Sequence, residues 1–298
     1  MFTSIYFSFI SLIIFLYTFT NFNIGQIYLS PSLNTQPIFN EPEMTGQNFE
    51  GEISADSVLI IDAKTKVKLW GKKTETKRPI ASLTKLMTVL VFLQTRPSWQ
   101  EVVEIKNEDF RYGSSRNLRL GEQLTIKDLF HIGLIGSDNV AISALVRSTG
   151  LSEEEFIKRM NQQARLLGMN NTSFVEPTGL LAENVSTATD LSQLTDRVFH
   201  EPLISQVTSL NNYQFIINQG KKSREVINTN KLLDNKEIKV LAGKTGSSIE
   251  AGYCLASLLQ GNSEQQTIII VLGSRSDENR FADTKTLAEW VFANFIFY

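Results

Sequence analysis

Three short stretches of this sequence contain residue types that could together carry out nucleophilic catalysis. They are Ser82-Leu-Thr-Lys85, Ser137-Asp-Asn139 and Lys244-Thr-Gly246, which follow the patterns Ser-x-x-Lys, Ser-x-Asn and Lys-Thr-Gly. A chain that contains all three patterns in this order is typical of enzymes that transfer an acyl group through a serine. The set supplies a hydroxyl nucleophile, a lysine that could deprotonate it and a strand that could bind an anion.

Ser82 and Lys85 are the candidate nucleophile and general base. Residues three apart share a helix face, so the Lys85 amine can reach the Ser82 hydroxyl, and a helix N-terminus favours an ionised serine and a developing oxyanion. A free lysine titrates near pH 10.4, so a base at neutral pH needs its pKa lowered by about 3 units. Burial and a second cation, for which Lys244 is the candidate, would lower it. Taken alone, the pair also fits a helix-capping serine beside a solvated lysine.

Ser137 and Asn139 lie between two predicted helices. A hydroxyl at this position could relay a proton to a leaving amine that Lys85 does not reach. The Asn139 amide could hold a substrate amide, because it both donates and accepts hydrogen bonds. Taken alone, this motif also fits an ordinary turn between helices.

Lys244, Thr245 and Gly246 end a short predicted strand. Lys244 and Thr245 could bind a carboxylate by charge and by hydroxyl, while Gly246 would let a substrate backbone pair with an edge strand. The backbone N–H groups of Ser247 and Ser82 would then bind the oxyanion. Taken alone, the motif also fits a polar strand end.

The order of the motifs carries this prediction, because the individual patterns differ in specificity. Ser-x-x-Lys and Lys-Thr-Gly each occur once, whereas Ser-x-Asn occurs four times, starting at Ser32, Ser115, Ser137 and Ser209. Gly-x-Ser-x-Gly, P-loop and His-Glu-x-x-His patterns do not occur. The two histidines, His131 and His200, have no metal-ligand spacing. We therefore expect neither a metal nor another cofactor.

The N-terminal segment, Met1–Phe22, has no charged side chain and is long enough to cross a bilayer. A cleaved secretory signal is less consistent with it, because no Lys or Arg precedes Lys64 and no Ala precedes Ala55. We expect an uncleaved membrane anchor over residues 1–22, with a cleaved signal and a buried element of the domain as alternatives. Either of the first two places the rest of the chain outside the cytoplasm, in the cell envelope.

The remainder divides into a linker and one catalytic domain. Residues 23–52 mix Asn, Pro, Gln, Gly and Ser with acidic residues, which is typical of a linker, and residues 53–298 form the predicted domain. A hydrophobic fraction of 42% supports a substantial core, and a net charge of -2 argues against nucleic acid as a main partner. The single cysteine, Cys254, excludes an intrachain disulfide framework.

The predicted strands lie at both ends of this domain and the predicted helices fill its middle. Strands are predicted at residues 57–62, 67–70, 240–242, 252–259 and 267–273. Helices are predicted from Ser82 onward and over residues 125–134, 139–148, 152–167, 187–199 and 284–297. This order predicts an α/β chain of the α+β type, with an antiparallel sheet flanked by helices and a helical lobe beside it.

With these motifs and their flanks, the chain resembles the low-molecular-weight penicillin-binding proteins, specifically the serine D-alanyl-D-alanine carboxypeptidases of peptidase family S11. The resemblance runs from about Ser54 to the C-terminus. Beyond the motifs it includes Arg78-Pro-Ile-Ala-Ser-Leu-Thr-Lys-Leu-Met-Thr88, Phe174-Val-Glu-Pro-Thr-Gly-Leu180, Ser186-Thr-Ala-Thr-Asp190, Ala251-Gly-Tyr-Cys254 and Arg280-x-x-Asp-x-Lys285.

The resemblance implies a β-lactamase/transpeptidase-like fold. It also implies a peptidoglycan stem peptide ending in D-Ala-D-Ala as substrate, and β-lactams as inhibitors that acylate Ser82. Arg280 is implied to help bind the terminal carboxylate of the substrate. The nearest alternative activity is a D,D-endopeptidase of the same family, followed by a class A-like β-lactamase and by a non-catalytic peptidoglycan-binding relative.

Two features depart from the pattern of these carboxypeptidases. The middle motif is Ser-Asp-Asn, as in class A β-lactamases, and Glu176-Pro177 is similar to the lactamase loop whose glutamate drives deacylation. That loop carries an Asn four residues after the Glu, where this chain has Leu180, so we expect Glu176 to be a loop residue. We also expect this protein to lack the C-terminal β-domain and amphipathic anchor of many relatives, so that an N-terminal anchor would take over the tethering role.

Overall fold

The computed structural model describes residues 40–111, 117–218, 220, 222–262 and 264–298. Its strands are β1 (Glu43–Met44), β2 (Ser57–Asp62), β3 (Lys68–Lys72), β4 (Arg78–Pro79), β5 (Val102–Glu104), β6 (Gln123–Thr125), β7 (Val185–Ser186), β8 (Asn212–Ile217), β9 (Lys222–Ile227), β10 (Lys239–Ser248), β11 (Gly252–Gln260), β12 (Gln266–Ser274) and β13 (Phe295–Ile296). Its α-helices are α1 (Thr84–Gln94), α2 (Ile126–Ile135), α3 (Asn139–Ser148), α4 (Glu153–Leu166), α5 (Ala188–Phe199), α6 (Pro202–Thr208) and α7 (Asp277–Asn294).

A five-stranded antiparallel sheet with the strand order β10-β11-β12-β2-β3 forms the centre of the domain. Two of its strands come from the start of the domain and three from its end, as the sequence predicts. β10, which contains the Lys-Thr-Gly motif, is one of the two edge strands. The prediction of an antiparallel sheet flanked by helices is therefore confirmed.

The sheet is covered on both faces, because successive side chains of a strand point in opposite directions. In β2, Val58 and Ile60 belong to a core that includes Leu287 and Val291 of α7, whereas Leu59 belongs to the core of the helical lobe. All six residues of β2 are consequently buried. This explains why the strand is a continuous apolar run in the sequence rather than an alternating one.

Polar side chains at the N-termini of the lobe helices fix where those helices begin. Thr125 Oγ1 accepts a hydrogen bond from the Asp128 N–H at 3.1 Å, which forms part of a capping box at the start of α2. Ser152 Oγ accepts from the Glu155 N–H at 3.1 Å at the start of α4. Asp138 caps α3 in the same way. The Ser137-Asp-Asn139 motif thus lies at the N-terminus of α3.

Several elements differ from the sequence-based prediction, among them α7, α6 and the β8–β9 hairpin. α7 begins at Asp277 rather than at residue 284, since its polar first turns do not show an apolar face, and residues 295–296 form β13 instead of helix. The short helix α6 is not predicted at all. The β8–β9 hairpin is also unpredicted, because only Phe215, Ile217 and Val226 of its side chains are buried, which is too few for a clear alternating pattern.

The part of the predicted linker that the structure describes, residues 40–52, lies on the domain. β1 pairs with β13, and the Phe49 ring packs at centroid distances of 5.0 Å from Trp70 and 5.4 Å from Trp290. The folded domain therefore begins about ten residues earlier than predicted. Residues 1–39, which include the predicted membrane segment, lie outside the described residues. Within the described ranges, no helix has the length and apolar character needed to span a bilayer.

Candidate active site

Ser82 lies in a 3₁₀ turn, Ala81–Leu83, that leads directly into α1. The sequence predicts that the helix starts at Ser82, whereas the α-helix proper starts at Thr84. Ala81 has a left-handed backbone conformation, with φ of 46°, which is uncommon for a residue with a Cβ atom and is concentrated at functional sites. The turn leaves the Ser82 side chain half-buried at the end of the helix rather than packed in the core.

Lys85 is completely buried, and three oxygens surround its amine. Its Nζ donates hydrogen bonds to Ser82 Oγ at 2.9 Å, to Asn139 Oδ1 at 2.6 Å and to the Thr178 carbonyl oxygen at 2.5 Å. The α1 helix places Lys85 one turn after Ser82, on the same face, as the spacing predicts. The sequence-predicted contact between the first two motifs is therefore present in the structure.

The pKa of Lys85 is lowered by burial to about 8, against an ordinary value of 10.5. The negative charges of Glu176 and Asp138 partly offset this effect of burial. At pH 7 about a tenth of such a lysine is uncharged, and an uncharged amine 2.9 Å from a hydroxyl oxygen can take its proton. The drop is in the predicted direction, and its main cause is desolvation.

Ser137 and Lys244 bring the second and third motifs together. Ser137 occupies the turn between α2 and α3 with a φ of 56°, a second left-handed residue in this site. Lys244 Nζ donates to Ser137 Oγ at 2.7 Å and to the Thr245 carbonyl oxygen at 2.9 Å. Burial, with repulsion from the positive charges of Lys85 and Arg280, holds the pKa of Lys244 well below its ordinary value. The positive charge of Lys85 thus helps to lower the pKa of Lys244. The predicted reverse effect, in which Lys244 lowers the pKa of Lys85, is not among the causes of the Lys85 shift, which is due to burial.

β10 packs its Gly246 against the turn that carries Ser82. A Cβ atom at Gly246 would lie 2.9 Å from the Ile80 carbonyl oxygen and 3.1 Å from the Ser82 nitrogen. The sequence-based explanation, that this glycine admits a substrate backbone, is therefore incomplete, because the protein's own backbone already fills the space. The contact brings β10 close to the Ser82 N–H at Gly246, and the next residue, Ser247, is exposed.

Thr245 is buried, and its hydroxyl shares a hydrogen bond with Thr229 Oγ1 at 2.5 Å. Thr229 follows the β8–β9 hairpin and has no counterpart in the sequence-predicted site. Since each hydroxyl has one donor and two acceptor positions, this contact orients the Thr245 hydroxyl without exhausting its capacity.

Arg280 lies on α7, behind the end of β10, and only 5% of its surface is exposed. One of its terminal nitrogens donates to the Gly246 carbonyl at 2.9 Å, and the other pairs with Asp277. Its guanidinium also lies over the rings of Tyr253 and Phe281. In this arrangement Arg280 supports the strand that carries the Lys-Thr-Gly motif, and contact with a bound carboxylate stays a prediction.

The structure adds a fourth segment to the three motifs, the loop of residues 176–184. This loop supplies the Thr178 carbonyl that accepts from Lys85. A Cβ atom at Gly179, whose φ is +85°, would lie 2.0 Å from the Ala81 carbonyl oxygen. The run Glu176-Pro-Thr-Gly179 is visible in the sequence, but its contribution is made through backbone atoms, which residue types alone do not reveal.

The geometry therefore places two hydrogen-bonded groups at the junction of the sheet and the helical lobe. Lys85 bonds to Ser82 and Asn139, and Lys244 bonds to Ser137. The two lysines are close enough to interact electrostatically. Together these groups can deprotonate a serine hydroxyl and can hold an anion beside it. Among the described residues, no group of three or more acidic, histidine or cysteine side chains could hold a metal ion.

Comparison with known proteins gives a consistent result. The model of the peptidase S11 family, described as D-alanyl-D-alanine carboxypeptidase, matches residues 42–276. A D-alanyl-D-alanine endopeptidase of Pseudomonas aeruginosa is 33% identical over 268 residues, covering 89% of this chain and 86% of the relative. The D-alanyl-D-alanine carboxypeptidase DacF of Bacillus subtilis is 31% identical, and the match covers 81% of this chain and 63% of the relative.

Solved structures show the same similarity. A mutant of the Streptomyces K15 DD-transpeptidase superposes with a TM-score of 0.76 and 27% identity, over 82% of this chain and 100% of that chain. Penicillin-binding protein D2 of Listeria monocytogenes in its cefotaxime-bound form superposes with a TM-score of 0.70 and 29% identity, over 82% of this chain and 98% of that one. The fold around the site is therefore the one found in these proteins.

Proposed function

The chain belongs to the peptidase S11 family of D-alanyl-D-alanine carboxypeptidases, and we propose that it removes the terminal D-Ala from peptidoglycan stem peptides through an acyl-enzyme on Ser82. The observation that carries the proposal is the position of Lys85 Nζ, 2.9 Å from Ser82 Oγ in a fully buried environment. It provides a nucleophile and a base in contact, which is the requirement for covalent catalysis by a serine.

In the proposed acylation step, uncharged Lys85 takes the proton of Ser82 Oγ, which attacks the carbonyl carbon of the penultimate D-Ala. The N–H groups of Ser82 and Ser247 bind the oxyanion that develops on the carbonyl oxygen. The C–N bond then breaks, and Ser137 delivers its proton to the leaving amine while it receives the proton that Lys85 took from Ser82. Lys85 is thereby uncharged again, Ser137 is again a hydroxyl, and D-Ala departs as a neutral amine. The hydrogen bond from Lys244 to Ser137 supports this relay.

The remaining site residues are proposed to bind the substrate and complete the cycle. Lys244 and Thr245 bind the terminal carboxylate, with Arg280 contributing positive charge from behind β10. The Asn139 amide holds a substrate amide, and Gly246 keeps β10 close to Ser82. Water then attacks the carbonyl carbon of the ester. Its hydroxyl group stays on the shortened peptide, which is released, and its proton goes to Ser82 Oγ.

β-Lactams are proposed to acylate Ser82 by the same chemistry, since their strained amide occupies the position of the scissile peptide bond. The similarity to a penicillin-binding protein whose structure contains cefotaxime supports this proposal. Because peptidoglycan lies outside the membrane, we also propose an extracytoplasmic location. A membrane anchor or signal in residues 1–22 would deliver the domain there, and residues 53–298 would form its catalytic part.

One experiment tests the proposal. Residues 40–298 are incubated with fluorescent penicillin and, separately, with a diacetyl-L-lysyl-D-Ala-D-Ala peptide. We expect a stable adduct on Ser82 and release of free D-Ala, both lost in Ser82→Ala. Absence of any adduct in the wild-type protein would refute the acyl-enzyme. Rapid penicillin turnover without D-Ala release would indicate a β-lactamase instead.

A second candidate is a D,D-endopeptidase that cuts the cross-links between stem peptides. Similarity favours it: proteins named D-alanyl-D-alanine endopeptidase from Pseudomonas aeruginosa and Escherichia coli are each 33% identical to this chain. The two activities share the acyl-donor half of the reaction and differ in the leaving group, which is a free D-Ala or a cross-linked side chain. Digestion of purified cross-linked muropeptide dimers separates them, because only an endopeptidase converts dimers to monomers without releasing D-Ala.

A further inference from the structure

Glu176 is a fully buried carboxylate whose hydrogen-bonding capacity is used inside its own loop. Oε2 accepts from the Thr178 N–H at 2.6 Å and from Thr178 Oγ1 at 2.7 Å, while Oε1 accepts from the Gly179 N–H and from Asn184 Nδ2 at 2.7 Å. The Leu181 N–H makes a fifth, longer contact with Oε1 at 3.4 Å. A carboxylate offers about four lone-pair positions, and these donors occupy them. Glu176 therefore has no position left with which to activate a water molecule.

The loop that Glu176 folds contacts the nucleophile turn and the first helix at several points. The Thr178 carbonyl accepts from Lys85 Nζ at 2.5 Å, and the Pro177 carbonyl accepts from Thr88 Oγ1 at 2.6 Å. The Asn184 carbonyl accepts from the Ile80 N–H at 3.1 Å. The oxygens of Glu176 thus set the backbone of the segment that holds Lys85 in place.

We propose that Glu176 is a positioning residue for Lys85: it shapes the loop so that the Thr178 carbonyl directs the lysine amine toward Ser82 and Asn139. This inference rests on the proposed function, in which Lys85 is the base. The hydrogen-bond partners of Glu176 are Thr178, Gly179, Leu181 and Asn184 and not Ser82, so it acts through Lys85 and not on the reacting atoms.

The charge of Glu176 has a second effect on the same lysine. The charged groups facing Lys85 are Asp138 from the α3 cap, Glu176 from the loop and Lys244 from β10. Glu176 and Asp138 favour the ammonium form and raise the pKa of Lys85, against the larger effect of burial. Removing the Glu176 charge therefore lowers this pKa, and the uncharged base then persists to lower pH.

The test compares acylation by fluorescent penicillin across pH 5–10 in the wild-type protein and in Glu176→Gln. In either orientation of the introduced amide, its NH₂ group would face hydrogen-bond donors of the loop. The hydrogen bonds that order the loop are then lost, and we expect the plateau rate of acylation to fall by about tenfold or more. We also expect the acid limb of the profile to move to lower pH by up to about 1 unit. A merely structural role would lower the melting temperature and leave the acid limb of the folded protein where it was, which would overturn the proposal.

Two further variants separate charge from general destabilisation. Glu176→Asp keeps the charge but shortens the side chain, so its acid limb should match wild type while its plateau rate falls. If Glu176→Gln does not fold, Glu176→Asp decides the question. A plateau rate of acylation in Glu176→Asp equal to that of the wild-type protein would then refute the positioning role of Glu176. Asp62→Asn is the matched control. The buried Asp62 carboxylate accepts hydrogen bonds from the Thr65 N–H and from Thr65 Oγ1, but it lies in the turn between β2 and β3. Neither the acid limb nor the plateau rate of acylation should therefore change.

Failure of the proposed function gives a different result from failure of this inference. If the wild-type protein forms no Ser82 adduct at any pH, the acyl-enzyme itself is refuted. If the wild-type protein acylates normally and Glu176→Gln has the same plateau and acid limb, only the positioning role is refuted.

Discussion

The Lys244 amine lies 2.7 Å from the Ser137 hydroxyl, although 107 positions separate the two residues in the chain. Lys244 sits on the edge strand of the sheet, whereas Ser137 occupies the turn between two helices of the lobe. Their hydrogen bond therefore crosses the junction between sheet and lobe. It connects the proposed proton relay to the proposed carboxylate site.

Lys244→Gln should abolish most acylation while leaving the domain folded. The amide cannot supply the positive charge, so we expect the second-order rate constant for acylation by penicillin to fall by about 100-fold or more. The melting temperature should equal or exceed that of wild type, because burying an ammonium group costs free energy that an amide does not. Lys239→Gln, on the exposed start of the same strand, is the control and should behave as wild type. A fall of less than threefold in Lys244→Gln would contradict the assigned role.

Acylation should rise with pH through about 8, the value to which burial lowers the pKa of Lys85. The sign follows from the proposed base, since only the uncharged amine accepts the Ser82 proton and its fraction grows as pH increases. At pH 6 the rate should be about 100-fold below its plateau, one factor of ten for each unit. Stopped-flow acylation between pH 5 and 10 measures this limb.

Lys85→Arg provides a check on this interpretation of the limb. A guanidinium stays protonated throughout the range, so the variant should show a low rate with no rise near pH 8. Retention of the rise in this variant would assign it to another group.

Gly179→Ala should destabilise the domain and disturb Ser82 at the same time. Its φ is +85° and a Cβ atom would lie 2.0 Å from the Ala81 carbonyl, so strain and steric overlap together should cost about 3 kcal/mol. Gly168→Ala is a matched control, because its φ is +74° with no atom within 4 Å of a Cβ. The control should lose about 1 kcal/mol and keep full acylation. Urea unfolding and penicillin labelling measure both quantities, and equal losses in the two variants would argue against the steric contact.

Arg280→Lys should weaken the support of β10. A lysine cannot reproduce the two-sided contact with Asp277 and the Gly246 carbonyl, so we expect a loss of about 1–2 kcal/mol in unfolding free energy. The KM for the D-Ala-D-Ala peptide should also rise, because the end of β10 shifts. Arg275→Lys, an exposed position shortly before α7, should change neither. If KM rises without any loss of stability, Arg280 acts on the substrate and not through the strand.

The catalytic motifs could be predicted because their chemistry is carried by side chains at short, fixed spacing. Ser82 and Lys85 lie one helical turn apart, so a local rule is sufficient to place them in contact. The same holds for the caps at Thr125 and Ser152, whose hydrogen bonds reach only three residues along the chain. The residue types of the run Ser57-Val-Leu-Ile-Ile-Asp62 likewise predict a strand there.

The elements that were mispredicted lack such local signals. The first turns of α7 are polar, and the β8–β9 hairpin buries few side chains, so neither has a clear hydrophobic period. Residues 40–52 have the composition of a linker, yet Phe49 packs between Trp70 and Trp290. Burial there depends on partners from distant parts of the chain, which composition does not reveal.

The sequence alone determined which residues could form a nucleophile, a base and an anion site, because each of these depends on residue type and near spacing. Tertiary structure decided how the three motifs meet and what state their lysines adopt. The contacts of Lys85 with Asn139 and Thr178 join segments 54 and 93 residues away, and its lowered pKa arises from the burial that those segments impose. The role of Glu176 belongs to the same class, since a glutamate in a loop becomes a positioning residue only where folding surrounds it with its own backbone N–H groups.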